Sequence, residues 1–270
     1  MSKILDRISS LLRIWSPPGT DHDVCGLSHP GRVRAGNEDA FLVSASRGLY
    51  VIADGMGGHR AGEVASRETV DAVDAYFSLE RLRPLWAGHR FCQEALTEAV
   101  VAAHTKILEL GASRDDLQGM GCTIVLALVY GNAVRIVHIG DTRAYLVRQA
   151  GMTLLTRDHT TVADLVEQGL MTPGEARHSP LRNELTQAIG VGASIAPEVG
   201  SYNFEDGDRL LLCSDGLWGM LPEAHILRAM VTNRNASRAC RQLVSWANAA
   251  GGEDNITVVV IGGGSHSSAR

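Results

Sequence analysis

The chain has 270 residues and a mass of 28.9 kDa, a size at which one α/β or sandwich domain can still enclose a single core. Hydrophobic residues make up 45% of the sequence, which is enough to supply that core. The formal net charge is -5 and the pI is near 6.0, so no basic excess is available to neutralise a nucleic-acid backbone. We therefore expect no general nucleic-acid binding, and any recognition of phosphate must be local.

The cysteine pattern and the absence of a long apolar run bear on the compartment. The cysteines are odd in number, widely spaced and form no CxxC pair, which indicates neither a disulfide framework nor a thiolate zinc site. No apolar run reaches the roughly 20 residues that a transmembrane helix needs. Charges interrupt residues 1–15, where a signal peptide needs a continuous apolar stretch. We expect a soluble, cytoplasmic protein.

The N-terminal segment has an amphipathic pattern, because apolar residues recur at helical spacing between positions 4 and 15. A short helix packed on the domain is favoured over a helix on a membrane surface. The sequence Ser16-Pro17-Pro18-Gly19 indicates a linker. We therefore expect an N-terminal segment over residues 1–20, a main domain over 21–262 and a disordered tail over 263–270.

Short apolar runs rich in Val, Ile, Leu and Tyr predict strands over 40–44, 49–53, 122–130, 133–139, 143–149, 152–156, 208–214 and 255–261. The dipeptides at 131–132 and 150–151 predict hairpin turns between consecutive strands. Apolar residues one helical turn apart predict helices within 63–77, 91–110 and 236–252. Since strict strand–helix alternation is missing, an antiparallel sandwich, or a sheet flanked by helices, fits better than a parallel sheet.

Residues 157–190 form a polar, weakly patterned segment between two groups of strands. Within it, Thr172 occupies the N-cap position, Pro173 the first helical position and Glu175 the third, which predicts a short helix with a capping box. We predict that this segment is a surface flap.

Acidic residues border several of the predicted strands. Asp54, Asp141, Asp215 and Asp254 each lie next to glycine or asparagine at the edge of an apolar run. One such aspartate is ordinary turn chemistry, and for any single position that interpretation is favoured. Four in one domain, with the acidic pair at 38–39, favour a shared site if the strand ends converge.

A divalent cation would offset the repulsion between several carboxylates in one site. Oxygen ligands without paired histidines or cysteines favour Mg²⁺ or Mn²⁺ over zinc. Gly55 follows Asp54 and has no Cβ, so its backbone carbonyl could approach an ion closely.

The glycines after Asp54 also invite comparison with nucleotide-binding loops. Counting GxGxxG from Gly55 places Arg60 where the third glycine belongs. Counting GxxxxGK[ST] from Gly57 places Glu63 where the phosphate-binding lysine is needed. A glutamate there would repel a triphosphate, so the ATP-loop alternative is disfavoured.

Seven stretches follow one another over roughly residues 23–261: RVRAGNEDA, ADGMGGHRAGEVAS, GMGCTIVLALV, VHIGDTRAYL, LTRDHT, LLLCSDGLWG and EDNITVVV. Together, and in this order, they resemble the PPM family of metal-dependent serine/threonine protein phosphatases, the protein phosphatase 2C type, in its compact bacterial form. The resemblance implies an α+β fold: a central sandwich of two antiparallel β-sheets flanked by helices on both outer faces.

The resemblance implies a set of metal ligands. Asp54 would bridge two ions, Gly55 would offer its carbonyl to one, and Asp215 and Asp254 would complete the other. Asp141 would help Asp215 to hold a possible third, weaker ion. The cofactor would be Mn²⁺ or Mg²⁺.

Three further residues match supporting positions of the family. Glu38 and Asp39 would support the metal site, partly through metal-bound water, and Arg34 would bind the substrate phosphate. A guanidinium suits phosphate oxygens, although an exposed surface arginine is the alternative interpretation. The implied reaction is hydrolysis by a metal-activated water, without a covalent enzyme intermediate.

Two positions depart from the wider family. Several eukaryotic members carry a histidine directly after the Asp-Gly pair, proposed as general acid, where this chain has Met56 as other bacterial members do. Metal-bound water and His59 are the remaining candidates for that role, and His59 is better explained as a loop residue. Asn183 stands where some bacterial relatives use a serine near the third ion.

The expected function is hydrolysis of phosphoserine and phosphothreonine in proteins, which reverses bacterial Ser/Thr kinase signalling. The expected partners are phosphorylated proteins, among them a kinase and its substrates, and we expect a monomer. A catalytically dead phosphoprotein-binding relative is the alternative from another class, but it would lack one of Asp54, Asp215 or Asp254. Dephosphorylation of an anti-sigma-type switch would share the chemistry and differ only in substrate.

Overall fold

A computed structural model of the chain describes residues 22–56, 60–85, 89–149 and 151–262, without the side chains of residues 60, 83, 85 and 89–92. The predicted N-terminal segment, the predicted tail and His59 lie outside these residues.

Ten strands in the described residues form two five-stranded antiparallel sheets. One sheet has the order β1-β10-β9-β6-β7, with bounds Val24–His29, Ile256–Gly262, Arg209–Cys213, Arg143–Arg148 and Gly151–Leu154. The other has the order β2-β3-β4-β5-β8, with bounds Asp39–Ser44, Leu49–Met56, Gly121–Tyr130, Ala133–Ile139 and Glu198–Asn203. We call them the β10 sheet and the β3 sheet.

Helices cover the outer face of each sheet. The β3 sheet packs against helices α1 (Arg60–Tyr76), α2 (Leu79–Leu85) and α3 (His89–Ser113). Two short helices, α4 (Thr161–Glu167) and α5 (Pro173–His178), lie in the flap. The β10 sheet packs against α6 (Asp215–Trp218), α7 (Glu223–Thr232) and α8 (Ala236–Ala249).

Strand β3 shows how the layers form. Tyr50 and Ile52 point into the core between the two sheets, whereas Leu49, Val51 and Ala53 point toward the helices, as the two-residue period of a strand requires. Both faces of the strand are therefore buried, so its sequence is a continuous apolar run even though its neighbours are antiparallel.

The predicted sandwich of two antiparallel sheets with helices on both outer faces is confirmed. The predicted strands and helices that fall within the described residues are all present, including the capped helix in the flap. In the described part of the chain, no helix is both long enough and apolar enough to span a bilayer.

Candidate active site

The acidic residues predicted from the sequence meet at one end of the sandwich. Asp39 starts β2 and lies directly opposite Asp54 of β3 in the antiparallel register. Asp215 is the first residue of α6, two positions after the end of β9, and Asp254 lies two positions before the start of β10. Asp141 lies in the connection between β5 of one sheet and β6 of the other.

Asp39 joins the two sheets at this end. Its Oδ2 accepts hydrogen bonds from Ser214 Oγ at 2.9 Å and from Thr257 Oγ1 at 2.6 Å. Asp39 belongs to the β3 sheet, whereas Thr257 lies on β10 and Ser214 directly follows β9. These two hydroxyl groups therefore fix the position of an acidic side chain across the sandwich.

The pKa shifts show how crowded the carboxylates are. Burial raises the pKa of Asp54 well above its usual range, and the negative charges of Asp39, Asp215, Asp141 and Asp254 raise it further. Burial likewise raises the pKa of Asp215 well above its usual range, with added repulsion from Asp141, Asp254 and Asp39. These five aspartates, which we call the acidic cluster, therefore act on one another at short range.

Two members of the acidic cluster are shifted into the neutral range. Burial raises the pKa of Asp39 to about 6, against the opposing effect of its hydrogen bonds from Thr257 and Ser214. Burial raises the pKa of Asp141 to about 7, with repulsion from Asp158 adding to the shift and Arg143 opposing it.

The acidic cluster contains acceptor atoms that fit a cation. Asp39 Oδ1 and Asp215 Oδ1 are buried and have no hydrogen-bond partner among the described residues. A buried carboxylate oxygen without a donor is costly unless another positive group compensates it. An oxygen-only donor set of this kind suits a hard divalent ion.

Arg34 lies at the rim of the acidic cluster. Its Nη2 donates to Asp254 Oδ2 at 2.6 Å, and 55% of its side chain is exposed compared with 33% of the Asp254 side chain. The hydrogen bond and charge of Asp254 raise the pKa of Arg34, with smaller contributions from Asp215 and Glu38. The structure thus places a permanently charged guanidinium where it can meet both the acids and an incoming anion.

Asn255 is a supporting residue that the sequence analysis missed. Its Oδ1 accepts from Glu38 N at 2.8 Å, and its Nδ2 donates to Pro30 O at 2.9 Å and to Gly36 O at 2.8 Å. These three bonds hold the loop that carries Arg34 next to Asp254. The available sequence signal was the side-chain amide directly after Asp254, a residue type that binds loop backbone.

Two glycines allow close packing beside Asp54. A Cβ on Gly55 would lie 2.2 Å from Gly62 O and 2.6 Å from Glu38 O, and a Cβ on Gly62 would lie 1.8 Å from Glu38 Oε2. The backbone of α1 therefore approaches β3 so closely that only glycine fits at position 55, and the Glu38 carboxylate lies against Gly62. This explains these glycines without a phosphate-binding loop; Gly57 and Gly58 lie outside the described residues.

The segment that follows the flap lies beside the start of β4, next to the end of β3. A Cβ on Gly121, the cross-strand partner of Met56, would lie 2.9 Å from both Met56 Cε and Val191 Cγ2. Met56 thus packs at the junction of β3, β4 and the segment that follows the flap. Asn183 is exposed in a turn of the flap.

The described histidines near the flap have structural hydrogen bonds. His104 and His138 are both buried, and Gly190 N donates to His104 Nδ1 at 3.1 Å. His138 Nε2 lies 2.6 Å from Arg157 O, at the start of the flap.

Carboxylates that converge on one site can hold the metal ions of a hydrolase, and an arginine beside them suits a phosphate group. A family profile described as Protein phosphatase 2C matches residues 25–257, nearly all of the described chain. The chain belongs to the protein phosphatase 2C family.

Individual relatives agree with this assignment. The serine/threonine phosphatase stp of Listeria innocua serovar 6a is 36% identical over 235 residues, which span 86% of this chain and 92% of that protein. The crystal structure of the Mycobacterium tuberculosis serine/threonine phosphatase PstP/Ppp has a TM-score of 0.81 and 37% identity, over 89% of this chain and 98% of that one.

A third comparison concerns metal ions. The catalytic domain of the serine/threonine protein phosphatase PstP, in complex with two manganese ions, has a TM-score of 0.77 and 35% identity. The similarity covers 89% of this chain and 97% of that one.

Proposed function

We propose that this chain hydrolyses phosphoserine and phosphothreonine in proteins with Mn²⁺ or Mg²⁺ as cofactor, and so reverses Ser/Thr kinase signalling in a bacterial cytoplasm. The observation that carries the proposal is the acidic cluster with Arg34 at its rim. The similarity to proteins named serine/threonine phosphatases supports the substrate class.

Five residues would hold the ions. Asp54 and the Gly55 carbonyl, with Asp215 and Asp254, would bind two core ions, and Asp141 would contribute to a third, weaker one. When bound, the ions supply a water that is nucleophilic at neutral pH and offset the charge of the phosphoryl oxygens. The buried acceptor oxygens of the acidic cluster support this assignment. Glu38 and Asp39 would support the metal site, partly through metal-bound water.

Side chains of the protein would orient the phosphate, and the leaving oxygen also needs a proton donor. Arg34 would orient the phosphate, because its planar guanidinium can donate to two phosphoryl oxygens at once. Asp254 would keep that guanidinium at the rim through the 2.6 Å hydrogen bond. Met56 has no proton to give, so the leaving oxygen must receive its proton from another group.

The partners we propose are phosphorylated proteins, among them a Ser/Thr kinase and its substrates, and the proposed state is a monomer. We also propose that residues 21–262 form the phosphatase domain, with residues 157–190 as its flap and residues 1–20 and 263–270 as appended segments. The family match over residues 25–257 supports these bounds.

Turnover of a phosphothreonine peptide tests the proposal. In Mn²⁺ buffer the purified chain should release phosphate, and Asp54→Asn should lower turnover about a thousandfold, because a bound ion supplies several kcal/mol of transition-state stabilisation. Asp71→Asn, on an exposed position of α1, is the matched control and should leave turnover unchanged.

EDTA completes the experiment, since it should abolish turnover by the parent chain and excess Mn²⁺ should restore it. The proposal would be contradicted if the parent chain showed no turnover, or if neither EDTA nor Asp54→Asn changed its turnover.

A further inference from the structure

The turn that carries Asp141 is held by an aromatic residue outside the acidic cluster. Asp141 is only 7% exposed and follows Gly140, whose φ of +94° is a conformation that favours glycine. Trp218 Nε1 donates to the Asp141 carbonyl oxygen at 3.0 Å. Trp218 is the last residue of α6, and Asp215 is the first. One turn of helix and the indole hydrogen bond therefore connect the backbone of Asp215 to the backbone of Asp141.

Trp218 is itself held in place. The Arg143 guanidinium lies over its ring at 3.7 Å from the centroid. Two hydrogen bonds fix Arg143 on Asp158, from Nε to Oδ1 at 2.9 Å and from Nη2 to Oδ2 at 2.6 Å. This paired geometry restricts the guanidinium plane, and the stacked plane restricts the indole. The donor that reaches Asp141 therefore has little freedom to move.

His159 supports the same turn from the flap side. His159 N donates to Gly140 O at 3.0 Å, and Gly140 N donates to His159 Nδ1 at 3.2 Å. Because a backbone N–H can only donate, Nδ1 is the unprotonated nitrogen and Nε2 carries the proton. The turn before Asp141 is thus fixed on two sides.

That assignment also bears on a second group of ligand-type residues. His138, His159 and Glu198 bring one donor atom each within 4.8 Å of one another, with no ion present. The proton on His159 Nε2 occupies the position that a metal would need, and His138 Nε2 lies 2.6 Å from Arg157 O. We therefore interpret His138 and His159 as residues that hydrogen-bond the backbone, His138 at Arg157 and His159 at Gly140.

The geometry points to Trp218 as a positioning residue that fixes Asp141 relative to Asp215, so that the two carboxylates form a preformed pair for one cation. The inference rests on the proposed function, which assigns Asp141 and Asp215 to the weaker ion. Trp218 would act through the backbone of Asp141 and would not touch the substrate.

Manganese binding by the metal-stripped, full-length chain tests the inference by isothermal titration calorimetry. Trp218→Phe keeps an aromatic ring under Arg143 and removes the N–H donor, and it should weaken the weakest class of Mn²⁺ site about fivefold to tenfold. Trp246→Phe is the matched control, because Trp246 packs against the same helical core from α8, and it should change that affinity by less than about twofold.

A double variant separates positioning from a general loss of packing. In an Asp141→Asn background, Trp218→Phe should cause no further loss of Mn²⁺ affinity, because the group that it positions is already altered. Arg143→Lys, which keeps the charge and loses the planar stack, should lower the same affinity in the same direction. If Trp218→Phe does not fold, the Mn²⁺ affinity of Arg143→Lys tests the inference in its place.

Two results would overturn the inference and leave the metal assignment of Asp141 in place. In the first, Trp218→Phe and Arg143→Lys leave the Mn²⁺ affinity of the weak site unchanged, while Asp141→Asn clearly lowers it. This result contradicts only the positioning role of Trp218. An additive loss in the double variant does the same. If Asp141→Asn itself leaves every Mn²⁺ affinity unchanged, the metal assignment of Asp141 fails, and the inference fails with it.

Discussion

Asp54 follows the apolar run of β3 and precedes a glycine, a sequence position that ordinary turn chemistry can explain. The structure gives it a different setting, directly opposite Asp39 and close enough to Asp215, Asp141 and Asp254 for their charges to raise its pKa. The sequence could indicate that these aspartates border strands. Their meeting depends on the order of strands in two sheets, which no local pattern specifies.

The raised pKa of Asp141 gives a pH-dependent stability in the absence of metal. Its folded value of about 7 lies above the unfolded value of about 4, so the folded chain binds more protons between these limits. Stability from this group should therefore be fully present below about pH 4 and fall as the pH rises to about 7. In urea unfolding with EDTA, Asp141→Asn should have a flatter decline than the parent chain.

The exposed control Asp71→Asn should keep the parent slope. If the stability of the Asp141→Asn chain declined between pH 4 and pH 7 as steeply as that of the parent, Asp141 would not have the raised pKa that the structure indicates.

Arg34 and its neighbour on the same loop allow a second comparison at this scale. Arg34→Ala should lower kcat/KM for a phosphothreonine peptide about tenfold to a hundredfold at saturating Mn²⁺, because a charge-assisted contact to phosphate is lost. Arg32→Ala, also exposed and two positions earlier, should change it less than about threefold. Equal effects of the two substitutions would contradict a specific phosphate contact by Arg34.

At the scale of the elements, the buried strands were predictable from the sequence, whereas two strands at the edges of the sheets were not. β1 (Val24–His29) and β8 (Glu198–Asn203) each pair on one side only, contain a glycine and are mostly half-exposed. A strand with little buried surface needs few apolar residues, so its sequence lacks the run that identified β4 and β10. Their pairing with a neighbouring strand is a tertiary effect.

The flap helix α5 was predictable because its capping signal is local. Thr172 Oγ1 accepts from Glu175 N at 3.3 Å, and Thr172 N donates to Glu175 Oε2 at 2.8 Å. Thr172→Ala should weaken this helix by about 1 kcal/mol, seen as about fivefold faster amide exchange at Glu175.

The control for this change is the amide of Ile189, which donates to Cys122 O at 2.8 Å where the flap joins β4, and whose exchange should stay unchanged. A fall of several degrees in the Tm of the whole chain would mean that the flap unfolds together with the sandwich, contrary to this local picture.

At the scale of the whole molecule, the fold could be predicted in outline because each layer has its own apolar pattern in the sequence. Strands covered on both faces are continuous apolar runs, and the helices that cover them have one apolar side. The supports of the candidate site could not be predicted this way. Asn255 and Trp218 act through backbone atoms far away in the chain, at Pro30 and Asp141, and such contacts exist only after the sheets have assembled.

We propose that the acidic cluster is a metal centre. Anomalous diffraction from crystals grown with Mn²⁺ tests it most directly, because manganese positions are then observed independently of activity. We expect manganese in contact with Asp54, with Asp215 and Asp254 as further ligands. Crystals that hold no manganese at these aspartates, or hold it only at His138, His159 and Glu198, would contradict the account.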